Sequence, residues 1–219
     1  MRHDPSKLFV SGRDYYASSD AQRRALGLPR IDTHDYGADN GLAIAAYVTL
    51  YEATLDPHAL AVAKRAAQHI VDTHSTDRGA VTHDRVGEGT RLYLRDNVAF
   101  GWALTRLYEA TREPVWLERA KRIADFLGTD FFDEKGGGFW SSNADPNAIG
   151  VFASRTKPFE DNVLGLRFLA RVAKETPTEG YRRLIARTLR AVATPDRIKE
   201  RGRMLGDFLL ALEETKGVR

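Results

Sequence analysis

The chain has 219 residues, 42% of them hydrophobic and 29% charged, the make-up of a folded globular domain. It holds no cysteine, which excludes a disulfide framework, a thiolate metal site and a thiol nucleophile. The formal net charge is only +3, no apolar stretch approaches the roughly 20 residues of a membrane helix, and the start carries no apolar core of signal-peptide length. A cytoplasmic chain, or a piece of a larger protein, with no membrane contact is expected.

In chain order, residues 1–38 read as an irregular lead-in with one short helix near 19–26, and residues 39–219 as a helical domain. The domain opens with "YGADNGLAIAAYVTLYEATLDP", and its Asp39-Asn40 pair recurs as Asp96-Asn97 and Asp161-Asn162, each followed by an apolar run. Twelve residues after each Asp come Tyr51, Tyr108 and Ala173, and fifteen after come Thr54, Thr111 and Thr176. A polar turn with Pro57, Pro114 or Pro177 then starts a second helix, because proline lacks only an N–H that the first helical turn does not need. Three helical hairpins are predicted, at about 40–74, 97–128 and 162–193, with a final helix at about 196–214.

The first helix of each hairpin is apolar nearly all round, as in "NVAFGWALTRLYEA", and such a helix is buried on all sides. The second is amphipathic: in "PVWLERAKRIADFL" the apolar residues recur at three- and four-residue steps. Inner apolar helix, short turn, outer amphipathic helix and long loop, repeated, predict an all-α fold, a partial α/α toroid of about three hairpins plus a terminal helix. The long loops, 75–95 and 129–160, contain the strand-like runs "GAVTHD", "TRLYL" and "GGGFWSS", so small β-hairpins are expected at the end where the inner helices begin. Arg182, Arg183, Arg187 and Arg190 form a basic stripe on the last outer helix. It reads as a solvated face rather than a nucleic-acid site, which needs a denser patch with interleaved aromatics.

Asp and Asn are leading helix N-cap residues, so each pair is expected to start an inner helix. Three such starts around one mouth also make donor-rich helix ends that favour anions and hydroxyl-rich ligands. Near that mouth the sequence places His34, Tyr36 and Asp39; His83, Tyr93, Arg95, Asp96 and Asn97; and Trp140, Arg155, Lys157, Glu160 and Asp161. Aromatic platforms, carboxylates and Arg or Lys together suit a sugar or sugar phosphate. Epimerisation needs two acid/base groups, for which His34 and His83 are candidates; glycoside hydrolysis needs two carboxylates, for which Asp96 and Glu160 are candidates. Tyr36, Asp39, Tyr93, Arg95, Asn97, Trp140, Arg155, Lys157 and Asp161 are candidate ligand contacts. His69 and His74, on or just past an outer helix, read as structural. "DEKGGGFW" lacks the Gly-x4-Gly-Lys-Ser/Thr pattern of a phosphate loop and reads as a tight turn. No metal or cofactor is expected.

The stretches "NGLAIAAYVTLYEATLDPHALAVAKRAAQHIV", "YLRDNVAFGWALTRLYEATREPVWLERAKRIADFL", "FFDEKGGGFWSS" and "RTKPFEDNVLGLRFLARVA" resemble the C-terminal helical region of a thioredoxin-domain-containing family. That family includes the spermatogenesis-associated protein 20 type and bacterial relatives, and its helical part is similar to six-hairpin sugar enzymes such as N-acylglucosamine 2-epimerase. The resemblance covers about residues 30–193. Arg155 and Lys157 match the family, whereas "PFEDNVLG" replaces its small Ser/Asn turn. A six-hairpin toroid takes roughly twice this number of helices, and family members carry a thioredoxin-like domain. Two expectations follow. One is a non-catalytic helical module that docks a partner: a second copy, a missing toroid half or a thioredoxin-like domain. The other is a carbohydrate-active or carbohydrate-binding protein, epimerase-like or glycosidase-like, with its site at the mouth. An open row of inner helices would expose an apolar edge, to be covered by residues 1–38, the last helix or a second chain.

Overall fold

The computed structural model describes residues 10–27, 32–87 and 91–218. Residues 1–9 and 28–31 of the expected lead-in, and Thr90 of the strand-like run, lie outside the described residues. The chain divides into two compact units, 1–34 and 35–219. The first holds two short helices rather than one, α1 (Gly12–Ala17) and α2 (Asp20–Leu26). The Ser11 side chain caps α1, and Ser19 with Gln22 makes a capping box on α2. Neither helix has a buried residue.

The second unit is built from the three expected hairpins. They are α3 (Gly37–Thr54) with α4 (Pro57–His74), α5 (Leu94–Thr111) with α6 (Pro114–Phe126), and α7 (Phe159–Glu175) with α8 (Glu179–Val192). The expected terminal helix is two, α9 (Pro195–Arg201) and α10 (Gly206–Thr215), broken where Gly202 takes φ +52°. The inner helices α3, α5, α7 and α10 pack side by side in that order, and each outer helix packs on the inner helix before it. The outer faces are the amphipathic ones: Ala63, Ala67 and Ile70 of α4, Ala120 and Ile123 of α6, and Leu184 and Ile185 of α8 point inward and are buried.

The hairpin turns repeat in detail. Leu55 and Arg112 adopt left-handed backbone at φ 58° and 56° and donate to the carbonyls of Tyr51 and Tyr108 at 2.7 Å. Thr54 and Thr111 then accept from the backbone N–H of Asp56 and Glu113. The third turn follows another course, since Thr176 has φ −137°.

Close approach of the inner helices depends on glycine. A methyl group on Gly41 of α3 would fall 2.7 Å from backbone atoms of Ala99 and Phe100 in α5. Phe168 of α7 fills the opposite side of α5, against Gly101. Helix α5, flanked by α3, α6 and α7, is thereby buried along most of its length.

Two expectations change here. The inner helices start two residues before the Asp of each Asp-Asn pair, with Tyr36, Tyr93 and Pro158 at the cap positions and no side-chain cap bond. The pairs occupy the first turn instead. The loops do not form β-hairpins: among the described residues they make only isolated antiparallel bridges, Ser75–Val81, Phe132–Phe139 and Tyr93–Ser142. At α5 and α7 the two changes go together. Asn97 accepts from the Val81 N–H at 2.8 Å and donates to the Val81 and Tyr93 carbonyls at 2.9 and 2.8 Å. Asn162 does the same with Phe139, at 2.7 and 3.0 Å, and with Pro158 at 2.8 Å. The side-chain amide pairs with the loop backbone as a neighbouring strand would, so a loop needs one extended residue, not a hairpin. Asn40 makes only the local bond, to the Tyr36 carbonyl at 3.0 Å.

Candidate functional site

The mouth is the end at which the inner helices begin. The loop segment 75–87 lies against α3 and α5, since the Gly37 N–H donates to His83 O at 3.0 Å and the Val81 N–H to Asn97 Oδ1 at 2.8 Å. This holds the His83 ring on Tyr36, centroids 4.7 Å apart and stacked, with the Tyr93 ring edge-on at 5.8 Å. His83 Nδ1 lies 3.2 Å from both carboxylate oxygens of Asp96. Asp96 itself is 1% exposed and accepts from the Ala38 N–H at 2.8 Å. It therefore ties the start of α3 to α5 while orienting a half-exposed imidazole.

Asp161, in the first turn of α7, accepts from Arg95 Nη1 at 3.0 Å. Burial pushes its carboxyl above the usual range; the Arg95 guanidinium opposes this, and Glu160 and Asp96 add to it. Arg95 is half-exposed and also lines a cleft of about 370 Å³, within the usual size range of small-molecule sites. Leu42 of α3, Trp102 of α5, Arg167 of α7 and Asp207 of α10 line the same cleft. All four inner helices contribute to it. Arg167 lies over the Trp102 ring at 5.4 Å.

Farther along the inner face a ladder of ion pairs crosses the same four helices. Arg106 joins Glu52 and Glu109, Arg171 joins Glu109 and Glu214, and Arg167 joins Glu214 and Asp207. Each of these carboxylates is paired with a guanidinium group. The ladder also shows that the four helices run parallel, because Glu52, Glu109, Arg171 and Glu214, each near the C-terminal end of its helix, are joined in it.

The remaining candidates fall elsewhere. Glu160 lines the cleft but pairs with Arg201 at 2.7 Å, so Asp96 and Glu160 are held by different partners. Asn97 is fully buried and its amide serves the fold. Asp39 is exposed in the first turn of α3. His34 belongs to the N-terminal unit, where its N–H donates to Asp32 at 3.1 Å. His69 pairs with Asp35 at 3.0 Å, and His74 is buried with Nε2 2.7 Å from the Asp35 carbonyl oxygen. Trp140 sits under two cations, Arg155 at 5.0 Å and Lys157 at 4.6 Å. Trp102, Arg167 and Asp207 had no signal in the sequence beyond an aromatic and charges inside helical runs.

Lys157 clamps the glycine turn. Its ammonium reaches Asp133 at 2.5 Å and the Gly137 carbonyl at 2.6 Å, and Gly137 takes φ +71° with no room for a side chain beside Arg187 O. The Lys157 ammonium first, and the Lys135 and Gly136 amides with it, hold the Asp133 carboxyl down at about 2, from an ordinary 3.8. As pH falls, the unfolded chain takes up this proton first. The pair's contribution is whole above the ordinary value and is lost as pH drops through about 2. In urea unfolding, Lys157→Met should be less stable than wild type at neutral pH. The gap should narrow by about 1–2 kcal/mol as the pH is taken from about 5 to 2. A gap independent of pH would contradict the assignment.

No protein-family model matches the chain. In sequence it is 29% identical over 133 residues to spermatogenesis-associated protein 20 of Homo sapiens, covering 55% of this chain and 17% of that protein. Among solved structures, the cellobiose 2-epimerase of Spirochaeta thermophila matches with TM-score 0.62 at 12% identity, over 74% of this chain and 43% of that one. The GH76 α-mannanase of Bacteroides thetaiotaomicron matches with TM-score 0.61 at 17% identity, over 74% and 45%. An inactive variant of the α-1,6-mannanase of Salegentibacter sp., in complex with α-1,6-mannotriose, matches with TM-score 0.63 at 15% identity, over 73% and 47%. The chain thus spans under a fifth of its curated relative and less than half of each of these structures. Among the described residues no helix is long and apolar enough to cross a membrane. The chain is a distant relative of spermatogenesis-associated protein 20, and its helical fold matches part of the α/α toroids of these sugar enzymes.

Proposed function

We propose that the helical unit binds a carbohydrate at the mouth of its inner helices. The observation that carries this reading is the junction at Arg95. One guanidinium both faces the cleft and holds Asp161, a carboxylate kept in an unfavourably dry place. Such a group is costly to maintain and marks a functional site more often than an ordinary surface pair does. The Trp102 ring lining the cleft and the exposed Tyr93 ring are platforms for sugar faces, and the His83–Asp96 pair supplies a hydroxyl partner. The mannotriose complex of one structural neighbour supports a sugar ligand, although fold by itself does not fix function. The geometry favours binding over hydrolysis, because Asp96 and Glu160 are engaged by different partners.

The test is thermal unfolding with mannose, mannobiose, cellobiose and sugar phosphates at millimolar concentration. A ligand at ten times its Kd stabilises the native state by about 1.4 kcal/mol, a rise of roughly 3–5 °C for a chain of this size. The rise should vanish in Arg95→Met and Asp161→Asn. Asp161→Asn should stay within about 1 kcal/mol of wild type in stability, because removing a buried charge offsets the lost pair, whereas Arg95→Met leaves that charge without its partner and should cost more. No rise with any of these sugars would sink the reading.

A second reading, a non-catalytic module that docks a partner chain, is supported by a separate observation. Helix α3 carries only Asp39 and Glu52 as charged residues, yet Leu42, Tyr47 and Leu50 are exposed.

A further inference from the structure

The exposed side of α3 is a continuous apolar stripe: Leu42, Ala43, Ala46, Tyr47, Leu50 and Ala53. The repeat says what such a stripe is for. The matching positions on α5, counted from the Asp-Asn pair, include Ala99, Phe100, Ala103, Leu104 and Leu107, and each is at most 1% exposed. Ala99 meets Gly41 of α3, the preceding inner helix. The stripe on α3 is therefore the face by which an inner helix of this repeat receives the one before it.

The far side of the row offers the complementary face. On α10, Phe208 and Ala211 are buried against the unit while Leu209 and Leu210 are 60% and 50% exposed. Aligning the Thr111 and Thr215 side-chain bonds, each to the carbonyl four residues back, sets Leu209 at the position of Thr105, which is 2% exposed in α5. One edge of the row thus ends in a receiving face and the other in exposed leucines, and both edges belong to every copy.

We infer that the occupant of the α3 stripe is α10 of a second copy of this chain, with the reciprocal contact made at the same time. This deepens the docking reading above. A twofold axis through the cleft would satisfy both edges at once and leave neither exposed, which is what closed symmetry requires. The lengths are compatible: 74%, 74% and 73% of the chain matches 43%, 45% and 47% of three structures that share its fold, so the matched parts of two copies supply about one such toroid and the rest of each chain adds to it. Each dimer would contain two α3–α10 contacts, and both together form one interface. The two clefts would then face each other across the axis.

Sedimentation of the intact chain from about 1 to 100 μM tests this. The expected species is twice the 24.5 kDa chain mass, and Leu50→Lys and Leu209→Lys should each weaken association at least ~30-fold with helix content unchanged. Because the chain has no cysteine, Leu50→Cys copies mixed with Leu209→Cys copies should form a disulfide-linked pair. A 24.5 kDa monomer throughout, or cross-linking of Leu50→Cys copies only to each other, would overturn the inference. Docking of a different partner would survive a monomeric result if wild type binds a hydrophobic dye and Leu50→Lys does not. Equal dye binding by both would remove the docking reading as well.

Discussion

Replacing Asn97 by leucine should cost about 3–5 kcal/mol, and the same change at Asn40 only about 1. The two residues hold the same place in the repeat and differ in what they bond. Leucine has nearly the shape of asparagine, so the exchange removes hydrogen bonds with little change of volume. At position 97 it strips partners from the N–H and C=O of Val81, both in the buried interior. A buried polar backbone group left without a partner costs about 1–3 kcal/mol, and the lost bond to the Tyr93 carbonyl adds to this. At position 40 a single, partly exposed bond to Tyr36 is lost. Chemical denaturation of the two variants beside wild type checks it, with Asn162→Leu expected to behave like Asn97→Leu. Similar losses at 40 and 97 would mean that the amide-to-loop pairing contributes nothing beyond the local bond.

Gly41→Ala should cost about 2 kcal/mol or more, against the usual rule. Alanine is the better helix former by about 1 kcal/mol, so propensity alone predicts a gain. The added methyl would meet Ala99 and Phe100 at 2.7 Å, and both obstacles are backbone, which cannot rotate away. Helix α3 must then move off α5, and overpacking of this kind costs about 1–3 kcal/mol or more. Gly180→Ala is the control: near the start of α8 the nearest atom is the Thr178 hydroxyl at 3.7 Å, so the ordinary gain of up to about 1 kcal/mol should appear. If Gly41→Ala also raises the melting temperature, the inner helices do not approach as closely as described. Because α3 contributes Leu42 to the cleft and Tyr36 precedes it at the mouth, this variant should also weaken any sugar binding.

The hairpins were readable from the sequence because their causes are local. Apolar spacing, prolines at first helical turns and the recurring Thr set where each helix runs, what face it buries and where it stops. The sugar-enzyme resemblance was readable for the same reason, being carried by the order of those hairpins. The Asp-Asn pairs were visible as a repeat, but their work was not. Asn97 answers to Val81, sixteen residues back. Asn162 answers to Phe139, twenty-three back. Asp96 holds Ala38, fifty-eight residues away. A cap is the local use of such a side chain, so a local reading chooses it; the structure spends the amides on bringing a loop to a helix.

The cleft follows the same division. Arg95 and Asp161 were marked by their place near a helix start. Trp102, Arg167 and Asp207 join them only because α5, α7 and α10 lie side by side. Helix α3 is the sharpest case. Its composition says that every face is apolar, and periodicity can say no more. Whether a face is buried depends on whether another helix lies against it, which is a property of the assembled row and not of the segment. By itself the sequence determined the helices, their inner and outer kinds and their order. Tertiary structure alone decided which polar groups meet and which apolar face stays open, because those depend on contacts between residues far apart in the chain.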